Sequence, residues 1–235
     1  MILAVGAGLP RRYTAAAERM GCEVITLPPC PALPRPLASH ADLLICPIGE
    51  RIYTFRDYYQ TAAAELDHIA AASGCSISFL EALPGDSYPQ DVPLCIRQVG
   101  RHVVIDQHTA PELCRAATAA GLIPIYTRQG YTACSTLAVG DGIITADRGI
   151  KKAAEAAGLS VLGIKPGGIL LPGYDYGFIG GTCGVCPERG EVWFAGDPLT
   201  HPDGAEITAF IEHRGYRTVP LSDGPLFDCG GMFFF

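Results

Sequence analysis

At 235 residues, 49% hydrophobic and 17% charged, the chain has the composition of one soluble globular domain with a sizeable core, undivided by any low-complexity stretch or linker. A net charge of −7 and a pI near 5.3 argue against nucleic acid as a partner, and no apolar run approaches the roughly 18 residues that a membrane span needs. The ten cysteines belong to a chain whose apolar start is followed, not preceded, by its basic pair Arg11-Arg12, so they read as free thiols of a cytosolic protein and not as a disulfide framework.

An opening strand is predicted at Ile2 to Val5, a helix at about Arg12 to Met20 and a strand at Glu23 to Leu27. Gly6-Ala7-Gly8 lacks the third glycine of a dinucleotide turn and is interrupted by Pro10, so no cofactor is implied. After the proline-rich loop Leu27 to Pro36, one order recurs four times between about His40 and Asp223: two short strands, an alanine-rich helix, then a strand. The strand pairs are Ala41 to Cys46 with Arg51 to Phe55, and Pro93 to Gln98 with His102 to Asp106. Cys134 to Val139 with Ile143 to Ala146 follows, across the hairpin signal Gly140-Asp141-Gly142, and then Tyr176 to Gly181 with Glu191 to Ala195. Helix caps are assigned to Thr109 (with Glu112), Asp147 and Asp203 (with Glu206). A final strand is expected around Leu226 to Phe235.

Each helix stops at a glycine, Gly21, Gly74, Gly121, Gly158 or Gly215, which closes it in a left-handed conformation before a hydrophobic strand. Successive spacings are 53, 47, 37 and 57 residues, and a fifth of 41 appears when the two ends are joined. The terminal pieces then complete a fifth unit of the same order. The predicted fold is therefore α/β: a single-domain, five-bladed pseudo-symmetric propeller of strand–strand–helix–strand units over residues 1–235. Pairing of the N- and C-terminal strands closes it and removes the free edge of an open array. A doubly wound sheet is the alternative, but it needs single strands alternating with helices, and the repeated hairpins fit it poorly.

This order resembles the pentein fold of the guanidino-group-modifying enzymes, which include arginine deiminases, dimethylarginine dimethylaminohydrolases and amidinotransferases. Non-catalytic translation initiation factor 6 shares it. Arg128-Gln129-Gly130-Tyr131-Thr132-Ala133-Cys134, Ile143-Ile144-Thr145-Ala146-Asp147, Gly173 to Gly181 and Asp228-Cys229-Gly230-Gly231 resemble a bacterial subfamily of that fold with no assigned activity. The resemblance implies a cysteine nucleophile from the closing strand, a histidine in a His-x-Asp segment of the fourth unit, and acids that grip a guanidinium. Two signature positions depart from it. The family's Gly-Gly-x-x-Cys ends here on Phe234, and the histidine segment falls on Tyr174-Asp175-Tyr176.

Cys229, beside Asp228, is the candidate nucleophile, with Cys95 and Cys134 as alternatives; each also reads as a buried structural thiol. His40, in His40-Ala41-Asp42 at the start of the first complete unit, is the candidate proton carrier. Asp42, Asp91, Tyr131, Asp175 and Asp228 are candidate binding residues, because acids and tyrosines around one opening favour a small cation. Strand-start aspartates also arise for turn reasons. His201-Pro202-Asp203 copies the His-x-Asp letters but precedes a helix that Asp203 can cap. Cys183-Gly184-Val185-Cys186 has metal-ligand spacing without a second pair, so it reads as a hairpin loop with two ordinary thiols and no metal is expected. The expected function is a cysteine-dependent hydrolase or transferase acting on a guanidinium-like small molecule in a central channel. The alternative is a non-catalytic pentein that binds a small molecule or a protein partner.

Overall fold

Alanine-rich stretches between short β-branched runs fold as helices that return the chain parallel to the strand it has just left. In the computed structural model, which describes residues 1–235, the first such piece is β1 (Ile2–Gly6), α1 (Arg11–Arg19) and β2 (Glu23–Leu27). Then come α2 (Ala41–Leu44), β3 (Ile45–Ile48), β4 (Arg51–Phe55), α3 (Arg56–Ser73) and β5 (Ser76–Leu80), followed by β6 (Arg97–Val99), β7 (His102–Ile105), α4 (Pro111–Ala119) and β8 (Ile123–Tyr126). The next group is α5 (Thr132–Ser135), β9 (Thr136–Val139), β10 (Gly142–Thr145), α6 (Arg148–Ala156) and β11 (Ser160–Gly163). After β12 (Ile169–Leu170) come β13 (Cys183–Cys186), β14 (Glu191–Phe194), α7 (Gly204–Glu212) and β15 (Arg217–Pro220), and the chain closes with β16 (Leu226–Phe227) and β17 (Phe233–Phe234).

Four sheets share one plan, an antiparallel hairpin whose second strand is joined in parallel by the strand after the helix: β3-β4-β5, β6-β7-β8, β9-β10-β11 and β13-β14-β15. The sheet β17-β1-β2 follows the same plan but takes its first strand from the opposite end of the sequence. Leu3 faces Phe234, Ala4 faces Phe233, and Ile2 and Phe235 exchange both backbone hydrogen bonds. A parallel pair, β12 with β16, ties the loop before β13 to the segment before β17. The five helix-ending glycines have φ between 72° and 84°, the left-handed region expected of them. No helix is long and apolar enough to cross a membrane.

The helices bury narrow stripes: Leu113 and Ala117 on α4, Ile150 and Ala154 on α6, Ile207 and Ile211 on α7, each pair one turn apart. The core is accordingly split into clusters between neighbouring sheets. Trp193 of β14 is fully buried among Leu3, Val5 and Tyr13, and its ring meets Phe234 edge-on, so it fills the seam where the two ends of the chain pair. Its indole N–H donates to the buried Glu191 carboxylate, which also receives Arg217.

Several local expectations are corrected. Residues Ala41–Leu44, Thr132–Ser135 and Ile179–Thr182 are helical turns, so the first strands of three units begin later than the sequence suggests. These runs are buried on every side, and a short run with no exposed face carries no period to separate strand from turn. In the fourth unit the first strand is β13, Cys183–Cys186, and not Tyr176 to Gly181. Cys183 and Cys186 therefore lie on a strand, three positions apart and facing opposite sides, which rules out a shared ligand role. Pro93 to Gln98 contracts to β6, and the last strand is broken into β16 and β17 around Asp228 to Met232. Helix α4 starts after Ala110 with Pro111 in its first turn, while Thr109 bonds Asp106 instead of capping. Asp203 heads α7, yet its carboxylate accepts the Lys165 backbone N–H and not one from the helix. Asp147 caps α6 as expected, accepting from Ile150 N.

Candidate functional site

The segments leading into the first strands are stitched to one another. Asp42 N donates to Gly230 O at 2.8 Å, and Cys229 N and Gly231 N both donate to Gly181 O at 2.9 Å. The Thr132 hydroxyl donates to Cys95 O, and Ala133 N donates to Cys95 Sγ at 3.3 Å. Gly180 sits so tightly on the next segment that a Cβ there would lie 2.2 Å from Ala133 O, which explains the glycine at that position. Short turns, each with its backbone polar groups satisfied by a neighbour, thus bring side chains from distant parts of the sequence together.

A cavity of about 140 Å³ opens at this junction, lined by His40, Cys134, Asp228, Tyr131, Tyr174 and Tyr176, with Phe178 completing the aromatic side. A void of similar size, about 150 Å³, accepts a benzene-sized guest, so this one suits a single planar group of a few heavy atoms. Asp228 is buried; its Oδ2 accepts Phe178 N at 2.8 Å, its Oδ1 accepts Gly230 N at 3.1 Å, and Oδ1 lies 3.8 Å from His40 Nδ1. Burial pushes its carboxyl up to about 6, opposed by His40 and the two backbone N–H groups and reinforced by Asp42. Asp42 is 1% exposed and neither carboxylate oxygen has a hydrogen-bond partner. Donor atoms of His40, Asp42 and Cys134 lie within 4.8 Å of one another.

The Cys134 thiol lies 3.8 Å from that of Cys95. That contact, then burial, then the negative charges of Asp42 and Asp228 hold it well above the usual thiol range. Tyr131 donates its hydroxyl to Asp91 Oδ2; burial and that bond keep the phenol protonated. The structure therefore gathers His40, Asp42 and Asp228, with Asp91 and Tyr131 alongside. Asp175 lies exposed between Tyr174 and Tyr176, with its neighbours on the cavity wall and itself off it. Cys229 is 3% exposed and donates to Gly181 O at 3.3 Å and Gly231 O at 3.8 Å. It borders a neighbouring cavity that shares His40 and Asp228, while Cys134 is the thiol that reaches the aromatic one. Burial, then Asp228 and Asp42, hold the Cys229 thiol well above its ordinary value. Sequence reasoning named Tyr131 but missed Tyr174, Tyr176 and Phe178 on the aromatic side; the one available signal was the glycine-punctuated run Gly173-Tyr174-Asp175-Tyr176-Gly177-Phe178.

The raised carboxyl of Asp228 has a measurable consequence. Its folded-state value, about 6, lies above the ordinary 3.8, so the native state holds the proton more tightly than the unfolded chain. Ionisation then costs stability progressively as pH rises from about 4 to about 6, and costs nothing below that window. The full shift corresponds to about 3 kcal/mol. Denaturant unfolding of wild type and Asp228→Asn across this range, in chelator, should show their stability difference moving by that order in the variant's favour as pH rises. A difference that stays flat would refute the assignment.

Comparison with solved structures finds the same architecture in enzymes of very different sequence. A dimethylarginine dimethylaminohydrolase adduct with 4-chloro-2-hydroxymethylpyridine superposes with a TM-score of 0.60 at 11% identity, covering 100% of this chain and 99% of that one. A histidine-to-glycine variant of dimethylarginine dimethylaminohydrolase, as its adduct with S-methyl-L-thiocitrulline, gives 0.59 at 13% identity with the same coverage. The Pseudomonas aeruginosa enzyme complexed with citrulline gives 0.56 at 13% identity, covering 94% of this chain and 91% of that one. The chain thus has a mixed α/β pentein fold, and at these identities the likeness carries the fold alone. No curated protein matches it in sequence. Residues 4–233 match a family described as a family of unknown function (DUF6873), and the chain belongs to that family.

Proposed function

We propose that the five units form a five-bladed ring around the cavity and that the protein binds a small organic cation there, acting on it by thiol chemistry at a guanidinium-like carbon. Closure is supported by the order of neighbours: β6 lies against β9, β9 against β13 and β13 against β17, while residues of β3, β6 and β17 line one cavity and α2, which leads into β3, lies against β1. The observation that carries the functional reading is the meeting of a cysteine, a histidine and a buried acid, Cys134, His40 and Asp228, on the wall of one aromatic-sided cavity, with the buried Asp42 carboxylate within 4.8 Å of the His40 and Cys134 donor atoms.

In this reading Asp228 and Asp42 hold the cation, and its charge offsets the two carboxylates that act with the Cys95 contact and burial to keep the Cys134 thiol protonated. His40 takes the Cys134 thiol proton as the sulfur bonds to the guanidinium carbon, and passes it to the departing amine as the C–N bond breaks. Water, or an acceptor amine in a transferase, then displaces the sulfur. The non-catalytic reading draws support from Phe234, which stands where the resemblance calls for a cysteine and is packed on Trp193.

A guanidinium ligand should bind at least about tenfold more tightly than its neutral urea counterpart, because the acids favour charge by at least the 1.4 kcal/mol that a factor of ten represents. Asp42→Asn should narrow that gap. Calorimetric titration of both ligands into both proteins is the measurement, and equal affinity for the charged and neutral ligands in wild type would sink the proposal.

A further inference from the structure

The same junction holds a donor set that an organic cation does not fully explain. His40, Asp42 and Cys134 offer one imidazole nitrogen, one carboxylate oxygen and one sulfur, all within 4.8 Å of one another and all buried. Two of the three are unpartnered. His40 Nδ1 and both Asp42 oxygens lack any hydrogen-bond partner, although buried polar groups ordinarily have one. A buried carboxylate with neither oxygen satisfied is costly unless a cation completes its surroundings. Asp228 stands next to the set, with Oδ1 3.8 Å from His40 Nδ1 and two backbone N–H groups fixing its orientation.

We propose that His40, Asp42 and Cys134 form a site for one divalent transition-metal ion of the Zn²⁺ class, with the fourth position turned toward the cavity. Three protein ligands and one open position is the arrangement of reactive zinc sites, whereas closed structural sites use four. The mixed sulfur, nitrogen and oxygen donors favour Zn²⁺ or Co²⁺ over Mg²⁺ and Ca²⁺, which take oxygen ligands. On binding, sulfur coordinates as thiolate and the thiol proton passes to solvent, one proton for each ion bound. This inference does not rest on the guanidine reading; a metal ion and an organic cation would compete for the same acids.

Co²⁺ titrated into metal-stripped, reduced protein is expected to produce a near-ultraviolet sulfur-to-cobalt charge-transfer band that saturates at one equivalent per chain. Cys134→Ser should abolish the band, and Cys75→Ser, away from the site, should leave it intact. Asp42→Asn should weaken Co²⁺ binding by at least the ~10-fold that even an outer-shell loss costs, with circular dichroism confirming that the variants are folded. Absence of a band in wild type, or its survival in folded Cys134→Ser, overturns the metal site. The two readings fail separately: guanidine turnover in chelator without a cobalt band rejects the metal site alone, and a cobalt band without guanidine binding rejects the organic-cation site alone.

Discussion

Replacing Cys134 by alanine is expected to abolish turnover of a guanidine substrate, by about a thousandfold or more, while substrate affinity changes by less than about fivefold. The asymmetry follows from the geometry. In the proposed reaction the sulfur supplies the bond-forming atom, whereas Asp228 and Asp42 supply the charge that holds the ligand, and alanine leaves those acids in place. Cys229→Ala is the paired control. Its thiol donates to the Gly181 and Gly231 carbonyls and borders a different cavity, so kcat should remain within a few-fold of wild type. Steady-state kinetics on both variants, with binding measured by calorimetry, separates the two thiols. Retained turnover in Cys134→Ala would remove that residue from the chemistry, and loss of turnover only in Cys229→Ala would transfer the role.

Trp193→Ala is expected to destabilise the fold by about 4 kcal/mol, the cost of emptying a large buried aromatic site. For a chain of this size that corresponds to a fall of roughly 10 °C in Tm. The side chain is fully buried, shares a core cluster with residues of β1 and α1, and meets Phe234 edge-on. Its loss also strips an N–H donor from buried Glu191. Tyr126→Ala, at a residue 70% exposed on β8, is the comparison and should stay within about 0.5 kcal/mol of wild type. Urea denaturation measures both. A loss below about 1 kcal/mol at Trp193 would mean the surrounding residues collapse to fill the void.

The architecture was legible because its signals are local. A glycine that must take a positive φ after an alanine-rich stretch declares itself in one residue, and all five did. The join of the two ends was legible by counting, since the leftover pieces matched a missing unit. The onset of the inner strands was not legible. Leu43-Leu44 and Thr132-Ala133-Cys134-Ser135 are wholly buried, so nothing in their pattern distinguishes an extended from a turned backbone. That His40, Asp42 and Asp228 would lie near one another could be read from their places at the starts of successive units. Which cavity Cys229 and Cys134 each border was not legible, because it depends on which way each sulfur points. For Cys229 that is decided by two backbone carbonyls contributed by Gly181 and Gly231. Asp175 shows the same limit in reverse, for its two half-exposed tyrosine neighbours line the cavity while it does not.

The sheet that unites β1 with β17 pairs residues roughly 230 positions apart, whereas β3 and β4 meet across one tight turn. Ring-closure entropy grows with the logarithm of the intervening length, so this pairing is the most demanding to assemble. Four units can condense from sequence neighbours before it forms, which makes the terminal zipper a late folding event and a preferred place for the native molecule to breathe. Native-state hydrogen exchange should therefore find the Ile2 and Phe235 amides trading with solvent ahead of those in β9 and β10.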